Sequence, residues 1–186
     1  MMDRRTALKN MALSFGFAVS GSTIISLFNS CSDEKTTVTS EFFKASEMYN
    51  IAQLVDLILP KTATVGAKDL NTAHFVDKMC QHVLDDQQQK EMRLGVTEFS
   101  KRFLKITGNS TTEGTRQNYE LMLSTYFNIS KDQEKAVFEM LDSDYNGLSN
   151  AIKPDYHLYT FLTTVRELSL LGYYTSQTIM ELDLEA

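Results

Sequence analysis

The 186-residue chain is 42% hydrophobic and 23% charged, with a formal charge of -6 and no Lys/Arg cluster beyond its first ten residues. That length suits one domain with its own core rather than two, and the acidic balance argues against nucleic acid as a partner. Two prolines, no tryptophan and nine methionines, set among frequent Leu and Phe, point to helices.

The first thirty residues read as an export signal. Arg4 and Arg5 precede an apolar run from Met11 to Phe28 that is diluted by Gly16, Gly21 and serines. Its length is at the lower limit for a membrane span. A basic start, an apolar middle and a small-residue end make a secretory signal. The paired arginines followed by Leu8 and Lys9 resemble a twin-arginine signal, with Ala7 where that motif prefers Phe. The general secretory route and a retained membrane anchor are the alternatives. Ser30-Cys31 closes the run in the manner of a bacterial lipoprotein box, in which Cys31 is lipidated and becomes the new N-terminus; Phe28 takes the usual Leu position. Each buried acyl CH₂ contributes roughly 0.8 kcal/mol, so two or three chains hold a protein on a bilayer without a spanning helix. Residues 31–41 then form a polar tether. Loss of residues 1–30 leaves 15 basic and 23 acidic side chains, a balance of -8. The expected location is the periplasmic or outer-surface face of a bacterial envelope.

From residue 42 to 186 the apolar residues recur at helical spacing. Ile51, Leu54, Val55 and Ile58 form a first stripe, ended by Pro60. A loop from Lys61 to Leu70 contains Gly66. Phe75, Val76, Met79, Val83 and Leu84 form a second stripe, on which Cys80 is a buried, inert thiol. Met92, Val96, Phe99, Phe103 and Ile106 form a third. After a polar break from Gly108 to Gly114, Tyr119, Met122, Leu123 and Tyr126 form a fourth. Ser130 and Gln133 make a capping box that opens a fifth helix through Val137, Phe138 and Leu141. Leu158, Phe161, Leu162, Val165 and Leu168 make the sixth. The helix then meets Gly172, read as its C-terminal stop, and Thr175-Ser176 can cap a further one. The expected fold is all-α: a single helical bundle of six or seven helices without internal repeat.

Candidate chemistry is sparse. Asp142, Asp144, Asn146 and Gly147 resemble the start of a calcium loop, but position twelve is Lys153 where a bidentate Glu is needed. The segment is read instead as a turn in which Asn146-Gly147 can take positive φ. His74, His82 and His157 have no metal-site spacing and are read as solvated, with His74 and Asp77 a conceivable i,i+3 pair. HExxH, GxSxG, CxxC, Walker and GxGxxG motifs are all missing from the sequence. No catalytic, cofactor-binding or metal residue is assigned.

Two stretches carry a family resemblance. Leu59, Pro60, Thr62, Gly66, Ala67, Phe75, Val76 and Asp77 lie in the first; Leu168, Ser169, Gly172, Tyr173, Thr175 and Ser176 lie in the second, with Ser169 in place of the usual Thr. Together they resemble the gluconate 2-dehydrogenase subunit 3 family, over roughly residues 42 to 182. Members usually continue into a Pro-Gly-containing tail; the sequence given ends at Leu184-Glu185-Ala186. The resemblance implies a small, non-catalytic subunit that supports export, folding or stability of a large one. The large subunit would be an FAD-dependent sugar or polyol dehydrogenase of the glucose–methanol–choline type, with a haem-bearing cytochrome c often taking the electrons. Cofactors would then reside in the partners. Partner-interface candidates are Pro60, Gly66, Ala67, Arg166, Gly172, Tyr173, Tyr174, Thr175 and Ser176. The alternative reading is a freestanding lipid-anchored helical protein that binds a ligand or partner in the envelope.

Overall fold

The computed structural model describes residues 39–182; Arg4, Arg5, Cys31 and most of the tether lie outside the described residues. Within them are seven α-helices and no strand, the expected fold class. The helices are α1 (Ala45–Ile58), α2 (Thr72–His82), α3 (Asp86–Thr107), α4 (Arg116–Phe127), α5 (Lys131–Leu141), α6 (Lys153–Tyr174) and α7 (Gln177–Leu182). Two 3-10 turns, Thr111–Glu113 and Tyr145–Gly147, sit in the connections on either side of α4 and α5. Among the described residues no helix is long and apolar enough to cross a membrane.

The two 22-residue helices, α3 and α6, form the central pair. Their backbones meet at Gly95. A Cβ there would lie 2.4 Å from Phe161 Cβ and 2.6 Å from the His157 carbonyl oxygen. A glycine inside a helix costs about 1 kcal/mol relative to alanine, and here the close approach it permits offsets that cost. Below the crossing, Phe99 packs on Phe161 with ring centroids 5.5 Å apart, and Phe103 packs on Tyr119 at 4.6 Å. Helices α1 and α2 lie against α6, and α4 closes over α1 and α3. Buried side chains run continuously from Phe42 and Phe43 through Ile51, Phe75 and Met92 to Leu168.

The break between α3 and α4 is more ordered than its composition suggests. Gly108 ends α3 in the left-handed conformation, at φ 74°. The Tyr119 hydroxyl, buried, donates to the Thr111 carbonyl at 2.7 Å and lies 2.9 Å from Oδ1 of Asn50. Gly114 leaves room for the Phe103 ring, whose Cζ would otherwise meet a Cβ at 2.3 Å.

Three local expectations differ. Gly172 does not end its helix: α6 continues to Tyr174, and Gly172 keeps ordinary helical φ. Asn146 and Gly147 take no positive φ; they form a 3-10 turn in which Asp144 accepts the Asn146 N–H at 3.1 Å. The fifth stripe does form a helix behind the expected Ser130/Gln133 box, but α5 buries no residue and Phe138 is 60% exposed.

Gly95→Ala is expected to push α3 and α6 apart and to lower the unfolding free energy by about 1–3 kcal/mol despite the better helix propensity. A denaturant melt showing a stabilised variant would contradict the crossing.

Candidate functional site

The two motif-bearing stretches meet at one corner of the fold. After α1 the chain turns at Leu59-Pro60 and folds back on itself. The Ala67 N–H donates to the Leu59 carbonyl at 3.0 Å and the Thr72 N–H to the Ala67 carbonyl at 3.1 Å. This return brings Gly66 against the backbone of Lys61, whose N would lie 2.6 Å from a Cβ at position 66. Asp69 closes the loop, accepting the Gly66 N–H at 3.1 Å and pairing with Lys61 Nζ at 3.1 Å. The Gly66 N–H, then Lys61, hold its carboxyl below the usual range. The C-terminal turns of α6 press on this loop from the other side. Gly172 accommodates the Phe75 ring, with Cδ1 2.4 Å from where a Cβ would sit. The Tyr173 hydroxyl donates to the Val65 carbonyl at 2.8 Å, joining residues 108 apart in the chain. The Ser169 hydroxyl donates to the Val165 carbonyl at 2.6 Å inside the helix, an internal role that a threonine hydroxyl fills equally well.

The partner-interface candidates thus separate by burial. Gly66, Ala67, Gly172, Tyr173 and Thr175 lie inside and shape the corner, and Ser176 is half-buried. Its Oγ lies 3.5 Å from the Ile179 N–H at the start of α7. Pro60, Arg166 and Tyr174 reach the surface, Tyr174 with 54% of its area exposed. Beside Arg166, burial raises the Glu167 carboxyl above its usual range, and the Arg166 charge offsets part of that shift.

Asp77 has a role that spacing alone does not reveal. Its carboxylate, almost fully buried, accepts three backbone N–H bonds from the segment entering the domain: Glu41 at 2.7 Å, Phe42 at 3.1 Å and Phe43 at 2.8 Å. It therefore holds the entering strand of chain rather than pairing with His74. Arg93 covers the same segment, with its guanidinium 3.9 Å from the Phe42 ring centroid, a bond to the Phe42 carbonyl and another to Glu47 at 3.1 Å. Glu41 in turn meets His82 Nε2 at 2.6 Å.

The remaining polar groups do not converge on a reactive centre. His157 is buried rather than solvated: its Nε2 lies 3.0 Å from the Tyr145 hydroxyl and its Nδ1 has no hydrogen-bond partner. Burial lowers its pKa, opposed by Glu91 and Glu98 on α3 and aided by Lys153. Cys80 is fully buried, and burial pushes its thiol well above the ordinary range, which suppresses the thiolate. Lys153 lies over the Tyr145 ring at 4.9 Å. Among the described residues, no three His, Cys, Asp or Glu side chains are grouped to hold a metal ion.

A family model described as gluconate 2-dehydrogenase subunit 3 matches residues 45–185. The chain belongs to that family. No curated protein and no solved structure matches it. The family match spans the whole corner, from the end of α1 through Asp77 to Ser176.

Two measurements check this construction. Asp77→Ala leaves at least two buried N–H groups without an acceptor, at about 1–3 kcal/mol each. It should destabilise the domain by more than about 2 kcal/mol in urea, and Asp77→Asn, which keeps one acceptor, should cost less. His157 makes stability pH-dependent. Its folded pKa is below the unfolded value, so its contribution is full above the unfolded pKa and is lost as pH falls through 6.5 toward the folded one. Thermal melts between neutral and mildly acidic pH should show that loss in the native chain, with a shallower slope in His157→Gln.

Proposed function

We propose that this chain is a non-catalytic accessory subunit of an exported FAD-dependent sugar or polyol dehydrogenase, of the kind that oxidises gluconate. The observation that carries the reading is the family match over residues 45–185. The side chains of its two motifs make packing and backbone contacts rather than a reactive set, which suits a scaffold. The accessory chain supports export, folding or stability of the flavoprotein subunit. FAD belongs to that partner, and a cytochrome c subunit bearing haem receives the electrons. Pro60, Arg166 and Tyr174 are candidate contact residues on the corner's outer surface. A twin-arginine-type signal at Arg4 and Arg5 exports the complex in folded form, and a lipid on Cys31 holds it at the periplasmic or outer-surface face of the envelope.

The test is co-expression with a tag on this chain. The purified complex should carry flavin absorbance and reduce a dye in the presence of sugar, whereas either chain alone should not. Arg4→Lys with Arg5→Lys should leave both proteins in the cytoplasm. A flavoprotein that is exported and active without this chain would refute the reading.

A further inference from the structure

Residues 142–152, which connect α5 to α6, are held to the rest of the domain at few points. Only Tyr145 and Leu148 among them are half-buried; the others are exposed. Their backbone hydrogen bonds stay local, as from the Leu148 N–H to the Tyr145 carbonyl at 3.2 Å and from the Ile152 N–H to the Ser149 carbonyl at 3.0 Å. The helix before them gives no deeper anchor, since α5 buries no residue. Among the described residues, one hydrogen bond ties this strap to a side chain beyond its own turns. The Tyr145 hydroxyl lies 3.0 Å from Nε2 of His157. The Tyr145 ring also rests on that imidazole, with centroids 5.2 Å apart, and on the Tyr156 ring at 5.3 Å.

The anchoring group is thus the side-chain type whose charge ordinarily changes near neutral pH. His157 is 8% exposed, and its Nδ1 is buried without a hydrogen-bond partner. A neutral imidazole with its proton on Nε2 donates to the Tyr145 oxygen and leaves only an acceptor unmet. Imidazolium carries an N–H on both nitrogens, so protonation puts a charge and an unmet donor into the buried site. Swinging the strap away gives both nitrogens water. Burial opposes the charged form most; Glu91 and Glu98 on α3 favour it, and Lys153 on its own helix opposes it. Glu98 is itself paired with Arg102 at 3.0 Å, and the strap's carboxylates, Asp142 and Asp144, are exposed. The closed-state pKa lies below the ordinary value of 6.5, so opening takes up a proton. The closed strap is therefore favoured above that value and gives way as pH falls through it.

We propose that residues 142–152 form an acid-released strap: protonation of His157 breaks its hold on Tyr145, and the strap opens locally while the core between α3 and α6 stays folded. This inference stands independently of the accessory-subunit reading.

Hydrogen–deuterium exchange of the full chain, read by mass spectrometry and corrected for the intrinsic pH dependence of exchange, tests it. One pH unit below the ordinary histidine value, the bonded amides of Gly147, Leu148 and Ile152 should exchange about three- to tenfold faster than at neutral pH. Peptides from the middles of α3 and α6 should keep their protection. Tyr145→Phe should speed strap exchange already at neutral pH, and His157→Gln should abolish the acid response. A native chain without an acid response overturns the proposal, as does a response that survives in His157→Gln or unchanged strap exchange in Tyr145→Phe. Equal loss of protection in α3 and α6 marks global unfolding and also overturns it. If His157→Gln does not fold, the native chain decides: the rise in strap exchange should level off at the pH where the His157 imidazole titrates by NMR, and a rise that continues unchanged past that titration overturns the strap.

Discussion

The structure depends on how closely α6 can be approached. Two glycines set the distances, Gly95 admitting the backbone of α6 beside Phe161 and Gly172 on α6 admitting the Phe75 ring, and Gly114 likewise admits Phe103 in the aromatic cluster below. In each case a hydrogen in place of a methyl lets an apolar neighbour fill the space, so density is gained from shape rather than from larger side chains. Because α6 contacts α1, α2, α3 and α5 in turn, a shift at Gly95 would be transmitted along its length to the corner where Tyr173 holds the Val65 loop.

The helices were readable in the sequence because apolar residues recur every three or four positions, and because caps such as Ser130 with Gln133 are local. What could not be read was long-range. Gly172 has the composition of a helix stop, and only the neighbouring Phe75 explains why it stays helical. Asp77 lies within one turn of His74 in sequence, whereas its actual partners lie 34 to 36 residues away. The α5 stripe has the right period for burial, but periodicity states which face is apolar and not whether the same chain covers it. His157 looked like a solvated residue because the sequence does not show that the Tyr145 turn folds over it. At the corner, the motif residues were recognisable as a set. Their division into buried Gly66, Ala67 and Tyr173 and exposed Pro60, Arg166 and Tyr174 required the fold.

At the corner, the small and aromatic motif residues act through shape. Pro60 ends α1, Gly66 lets the loop cross its own backbone, Ala67 fits an enclosed position, and Tyr173 ties the loop to α6. A substitution at any of these alters geometry before it alters chemistry. That pattern is expected of a subunit whose task is to present a surface of fixed shape.

The latch at Asp77 gives the N-terminal segment a mechanical meaning within the proposed lipid-anchored form. Between Cys31 and Glu41 the tether spans at most roughly 35 Å when extended. Any pull along it reaches the domain first at Glu41, Phe42 and Phe43. There it meets three bonds to one buried carboxylate, two aromatic rings in the core and the Arg93 guanidinium over Phe42. Charge-assisted bonds of this type are roughly twice as strong as neutral ones. The entering segment is thereby tied to α2 through Asp77 and to α3 through Arg93, which also holds Glu47 in the first turn of α1.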